Sequence, residues 1–89
     1  MNVTFGPAKD AINVAKHGVS LALAGELEWD ALLTWPDTRR DYGEPRMVGL
    51  APWGTRLYYL VYVDRSEGRR IISLRKANDR EVKTYVAND

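Results

Sequence analysis

Apolar and polar positions along this chain follow two different periods, and the change of period marks its elements. Val3–Phe5 is a short apolar run stopped by Gly6-Pro7, which predicts a brief strand followed by a helix that Pro7 can open. Ala8, Ala11, Ile12 and Ala15 recur at i, i+3, i+4 and i+7, predicting a helix from about Ala8 to His17 with that stripe turned inward. Gly18 then supplies the C-cap. Ser20 is the next N-cap, and Leu23, Ala24 and Leu27 predict the buried side of a second helix reaching about Asp30, so that the two pair as a helical hairpin.

After Asp30 the period becomes two. Ala31–Trp35, Arg46–Trp53, Arg56–Arg65 and Arg69–Lys76 read as a four-stranded antiparallel meander, with Gly54-Thr55 and Ser66-Glu67-Gly68 as its tight turns. Alternation puts Leu57, Tyr59, Val61, Val63 and Arg65 on one face of the longest strand and Tyr58, Leu60, Tyr62 and Asp64 on the other. It does not say which face packs on the helices. In the last strand it groups Ile72 with Leu74, opposite Ile71 and Ser73. At Asn78 the helical period returns: Asn78 is an N-cap, Glu81 completes a capping box, and Val82, Tyr85 and Val86 follow at helical spacing. The fold class is therefore α+β in a single domain over residues 1–89: a short first strand, a helical hairpin, the meander and a C-terminal helix.

With 45% apolar and 28% charged residues among 89, the chain has the composition of one small globular domain. It lacks cysteine, so disulfides and thiolate metal sites are excluded. No stretch approaches the ~20 apolar residues that cross a bilayer, and the N-terminus does not read as a signal peptide; the expected location is the cytoplasm, away from membranes. The net charge of +1 conceals an asymmetry, because residues 1–45 hold four Lys/Arg against seven Asp/Glu and residues 46–89 hold nine against five. The second half is the anion-facing half.

Its cations gather at the junction between the last strand and the last helix, where Arg75, Lys76 and Arg80 stand close in sequence. In extended geometry Arg75 and Lys76 point to opposite faces, so at most one of them shares a cleft with Arg80. If the open sheet face carries tyrosines beside Arg46 and Arg75, it offers stacking surfaces next to cations, as single-stranded RNA requires. The sole histidine, His17, rules out a two-histidine zinc site or a Cys/His nucleophile, and its place at a helix C-terminus favours a capping role as imidazolium. Neither a phosphate-binding nor a dinucleotide glycine fingerprint is present, and Asp41 and Glu44 are explained by salt bridges to the loop arginines. What remains is chemistry that fixed guanidinium forks can do on a phosphate, with Glu44, a tyrosine, Lys9 and His17 as the candidates for base or acid.

Three phrases, KHGVS (Lys16–Ser20), TRRDYGEPR (Thr38–Arg46) and ISLRKANDREVKTY (Ile72–Tyr85), resemble in order and spacing the BrnT-type toxins of type II toxin–antitoxin pairs. The resemblance implies a RelE-like fold and a metal-independent endoribonuclease that arrests translation without a cofactor. It also implies a BrnA-like antitoxin with a ribbon-helix-helix part, through which alone the toxin would meet operator DNA. Carried onto this sequence, it points to Glu44, Arg65, Arg75 and Arg80 as catalytic residues and to Lys9, His17, Arg46 and Lys76 as contacts to RNA. One departure stands out: where the family has an aromatic and acidic F-x-W-D phrase, this chain reads Phe5-Gly6-Pro7-Ala8. The alternative is accordingly a catalytically silent homologue that serves as partner or corepressor of a DNA-binding antitoxin.

Overall fold

The computed structural model describes residues 1–88. In chain order it contains strand β1 (Val3–Thr4), helix α1 (Pro7–His17), two 3-10 helices (Leu21–Glu26 and Trp29–Ala31), strands β2 (Leu33–Pro36), β3 (Met47–Trp53), β4 (Arg56–Arg65) and β5 (Gly68–Lys76), and helix α2 (Asp79–Ala87). The strands form one five-stranded sheet in the order β1-β5-β4-β3-β2. Neighbours from β2 to β5 pair antiparallel, while β1 joins β5 in parallel through Val3 opposite Arg69 and Thr4 opposite Arg70. The sheet is therefore mixed, with the first strand added to the expected meander.

α1 spans nearly the predicted residues, with Pro7 at its start and Gly18 at φ 73° closing it through an N–H donated to Val14 O. It is rotated relative to the expectation. Ala8, Ala11, Ile12 and Ala15 face solvent, Ile12 at 64% exposure, while Asn13 is buried at 5%. The cause is the open edge of β5, which β1 covers only at Arg69 and Arg70. At Leu74 the amide of Asn13 takes the place of a neighbouring strand, donating to Leu74 O at 2.8 Å and accepting from Leu74 N at 3.1 Å, and it also donates to Val19 O at 2.9 Å. A buried unpaired backbone group costs more than a few exposed alanines do, so the helix turns its polar residue inward.

The second helix of the expected hairpin is a correction. Ser20 does cap it, accepting from Ala22 N at 3.1 Å, but the segment winds as a 3-10 helix and stops at Leu27. Leu21, Ala24 and Leu27 are the buried positions, three residues apart, which is the 3-10 period and not the α-helical one. Asp10 of α1 fastens this turn by accepting from Leu21 N at 2.7 Å and Ser20 Oγ at 3.0 Å. A further 3-10 turn occupies Trp29–Ala31, so β2 begins at Leu33 instead of Ala31.

The core joins Leu21, Ala24 and Leu27 to Ala51, Tyr58, Leu60, Tyr62, Ile71 and Leu74. This settles which face of β4 packs inward: the one carrying Tyr58, Leu60 and Tyr62. In β5, Ile71 and Leu74 both reach that core although they are three apart. The register of β4 against β5 shifts between Val61 and Tyr62, where Ser73 and Ile71 are the successive partners, so Ile72 is the extra residue of a bulge. The expected pairing of Ile72 with Leu74 is overturned by that single insertion. On the opposite face, Leu33, Leu50, Tyr59 and Arg75 form one cross-strand row and Trp35, Val48, Val61 and Ser73 the next.

Candidate functional site

Arg75 and Lys76 end β5 on opposite faces, as extended geometry requires, with Arg75 opposite Tyr59 and Lys76 opposite Tyr58. The Arg75 guanidinium lies 4.0 Å from the centroid of the Tyr59 ring. Its two terminal nitrogens donate to the two carboxylate oxygens of Glu81 at 2.8 Å each, and Nη1 also donates to Lys76 O at 3.2 Å. Glu81 is held by the capping box of α2: Asn78 N donates to Glu81 Oε1 and Glu81 N donates to Asn78 Oδ1, both at 2.9 Å. One carboxylate thus closes the start of the helix and aligns the arginine of the strand before it. The bidentate bond lowers the Glu81 pKa and raises that of Arg75, against desolvation in both cases.

The loop between β2 and β3 is organised on Asp37, whose side chain is 1% exposed. It accepts from Arg39 Nε and Nη2 at 2.8 Å each, from Arg39 N at 3.2 Å and from the Tyr42 hydroxyl at 3.1 Å. Arg39's bond, ahead of the opposing burial, holds the Asp37 carboxyl well below the usual carboxylate range. The same bond raises Arg39. Arg46 stacks 4.1 Å from the centroid of Tyr42, and among the described residues its buried Nε has no hydrogen-bond partner. Arg39, Arg40, Tyr42 and Arg46 line a pocket of about 380 Å³. Asp41 makes no salt bridge among the described residues and instead accepts from Gly43 N at 2.9 Å, where φ is 74°. Its expected ion pair is replaced by a turn-forming bond.

Loop and corner are electrostatic neighbours. Arg39 opposes the charge of Arg75, and Tyr59 lies near both cations. His17 also feels this cluster: burial first, then Lys16 and Arg75, push its pKa below the ordinary value. That direction runs against the imidazolium expected at a helix C-terminus.

The other anticipated residues do not meet there. Glu44 pairs with Arg65, at 3.2 Å from Oε2 to Nη2, beside the β4–β5 turn. Arg65 is six residues along β4 from Tyr59, which places it about 20 Å away at ~3.3 Å per residue. Arg80 is exposed in the first turn of α2, within the field of Glu81 but bound to no carboxylate among the described residues. Lys9 and Lys76 are exposed, and Lys9 stands in the first turn of α1. Glu44 and Arg65 therefore stand at the far end of the sheet face from Arg75. Arg69, although next to these cations in sequence, belongs to the packed face: it bonds Asp64 at 2.7 Å and lies 4.7 Å from the centroid of Tyr62 and 5.0 Å from that of Trp29.

Sequence reasoning left Asp37, Arg39, Arg40 and Tyr42 out of the candidate site, and Tyr59 among the unassigned tyrosines. Their signal is the spacing within DTRRDY, an acid two residues before an arginine and five before a tyrosine, which only a closed loop turns into a cluster. A second cavity, of about 590 Å³, is lined by residues that include Glu28 and Asp30 and by none of these cations. Among the described residues no group of three or more His, Cys, Asp or Glu side chains is arranged to hold a metal ion, and no helix is long and apolar enough to cross a membrane.

The protein is a small α+β domain in which guanidinium groups stack on tyrosines at the end of β5 and in the loop between β2 and β3. The family described as "Ribonuclease toxin, BrnT, of type II toxin-antitoxin system" matches residues 5–81, and the chain belongs to that family. No curated protein matches it.

Proposed function

We propose that this chain is a RelE-like, metal-independent endoribonuclease that arrests translation in the cytoplasm until a BrnA-like ribbon-helix-helix antitoxin neutralises it, with operator DNA contacted only through that partner. Family membership supports the ribonuclease and the antitoxin in general terms. The observation that carries the site is the Arg75 fork, aligned by Glu81 and stacked over Tyr59. In this reading the RNA 2′-hydroxyl gives up its proton and attacks the adjacent phosphorus, the bond to the 5′-oxygen breaks, and that oxygen takes a proton. Arg75 donates to the phosphoryl oxygens as charge builds, a role in which one lost donor slows the reaction roughly a hundredfold or more. His17, whose pKa is lowered in part by the Arg75 charge, is the group we assign to the proton transfers. Arg80, Lys76, Arg46 and Lys9 contact the strand, and Glu44 with Arg65 guides it at the far end of the face.

The test is purified protein on a defined RNA in EDTA. A 2′,3′-cyclic phosphate end is expected, and strict dependence on magnesium would refute the mechanism. The occupied forks favour a second reading. Arg75 and Arg65 are each engaged by a carboxylate, as suits a silent homologue that only binds its antitoxin. Induced expression without the partner separates the two, since growth and RNA left untouched would select the silent form.

A further inference from the structure

The pocket lined by Arg39, Arg40, Tyr42 and Arg46 stands apart from the Arg75 corner in construction. Each of its cations is prepared differently. Arg39 is fixed by the buried Asp37 carboxylate yet keeps its side chain 65% exposed, so one edge of its fork is anchored and the rest faces solvent. Arg46 lies over the Tyr42 ring, has no carboxylate partner among the described residues, and holds a buried Nε without an acceptor. Arg40 is exposed beside them. A partly desolvated guanidinium without an acceptor is costly, and an oxyanion entering the pocket would supply an acceptor for its remaining nitrogens. Asp37 is spent on Arg39 and Tyr42 and cannot serve that need.

We propose that this pocket is a phosphate subsite for single-stranded RNA, separate from the Arg75 corner and gripping a backbone phosphate away from the one to be cleaved. The assignment rests on the ribonuclease reading and names how the strand is held. The sheet face then acts as a track, with Arg75 and Tyr59 at one place and the Arg46–Tyr42 stack at another. Affinity depends on strand length, because only a chain of several nucleotides reaches both.

The test is fluorescence anisotropy with a labelled RNA hexamer methylated at every 2′-oxygen, which binds but cannot be cleaved, titrated over a range of salt. Arg40→Ala and Arg46→Gln should each weaken binding several-fold. Each should also flatten the dependence of log K on log salt by about 0.7, the share of one phosphate contact on a single strand. Arg56→Ala, an exposed cation at the β3–β4 turn, should leave the slope alone. Thermal unfolding identifies any loss of fold in Arg46→Gln, and the exposed Arg40→Ala carries the test by itself. Unchanged slopes in Arg40→Ala, an equal change in Arg56→Ala, or no binding by the unaltered chain would overturn the subsite. So would displacement of the hexamer by a hexaglutamate peptide at equal concentration, which would assign the pocket to an acidic protein segment. Cleavage of unmodified RNA together with unchanged slopes removes the subsite and leaves the ribonuclease standing. Binding with the predicted slopes but no cleavage does the reverse.

Discussion

Asn13 and Leu74 are joined as if they were opposed residues of neighbouring strands: the Asn13 amide donates to Leu74 O at 2.8 Å and accepts from Leu74 N at 3.1 Å. The bond closes the edge of β5 one residue before Arg75. Asn13→Ala would leave the Leu74 N–H and C=O and the Val19 C=O without this partner, at about 1–3 kcal/mol for a buried group so stranded. The expected loss of about 3 kcal/mol is read from urea unfolding, and a change below 0.5 kcal/mol would show that water replaces the amide without cost.

Asp37 makes the fold sensitive to acid. Its folded pKa lies below its unfolded one, so its contribution is complete above the ordinary carboxylate value and is lost as pH falls through the lower, folded value. Unfolding measured from about pH 5 down to pH 2 should show stability declining across that range. Asp37→Asn should flatten the decline, keep the Tyr42 bond and lose the ionic bond to Arg39. A profile identical to that of the unaltered chain would mean that Asp37 does not govern the loop.

Glu81 ties α2 to the sheet through Arg75, and Tyr85 adds a hydrogen bond to Ala31 O at 2.6 Å. Glu81→Gln removes the charge from both the capping box and the bidentate bond. Amide exchange in Asp79–Ala87 should speed up roughly five- to tenfold, the equivalent of about 1 kcal/mol, while β3 and β4 stay protected. Uniform acceleration across the sheet would contradict a local latch. In the same pair, Arg75→Lys keeps a charge but loses the fork, and RNA cleavage should fall roughly a hundredfold.

His17 reports on the cation cluster. Its imidazole should titrate below the ordinary histidine value of about 6.5 by proton NMR. Removing the nearby charge in Arg75→Ala should move it upward by the smallest of the three contributions, after burial and Lys16. A downward move, or none, would place Arg75 too far away to act on it.

Period and punctuation alone determined a good deal of this protein. The strands from β3 to β5, the two-residue turn at Gly54-Thr55, the span of α1 and the capping box at Asn78–Glu81 all depend on neighbours within a few residues, which a linear pattern records. The opposition of Arg75 and Lys76 follows from the pleat by the same logic. Tertiary structure decided whatever depended on backbone groups in search of partners. Leu74 needed an acceptor and a donor at the sheet edge, so α1 turned Asn13 inward and its alanines outward. One extra residue at Ile72 brought Ile71 to the core. Asp37, two residues from Arg39 and five from Tyr42, became a buried hub because loop closure excluded water from it, and solvent exclusion is a property of the assembled fold that adjacency in a chain does not express.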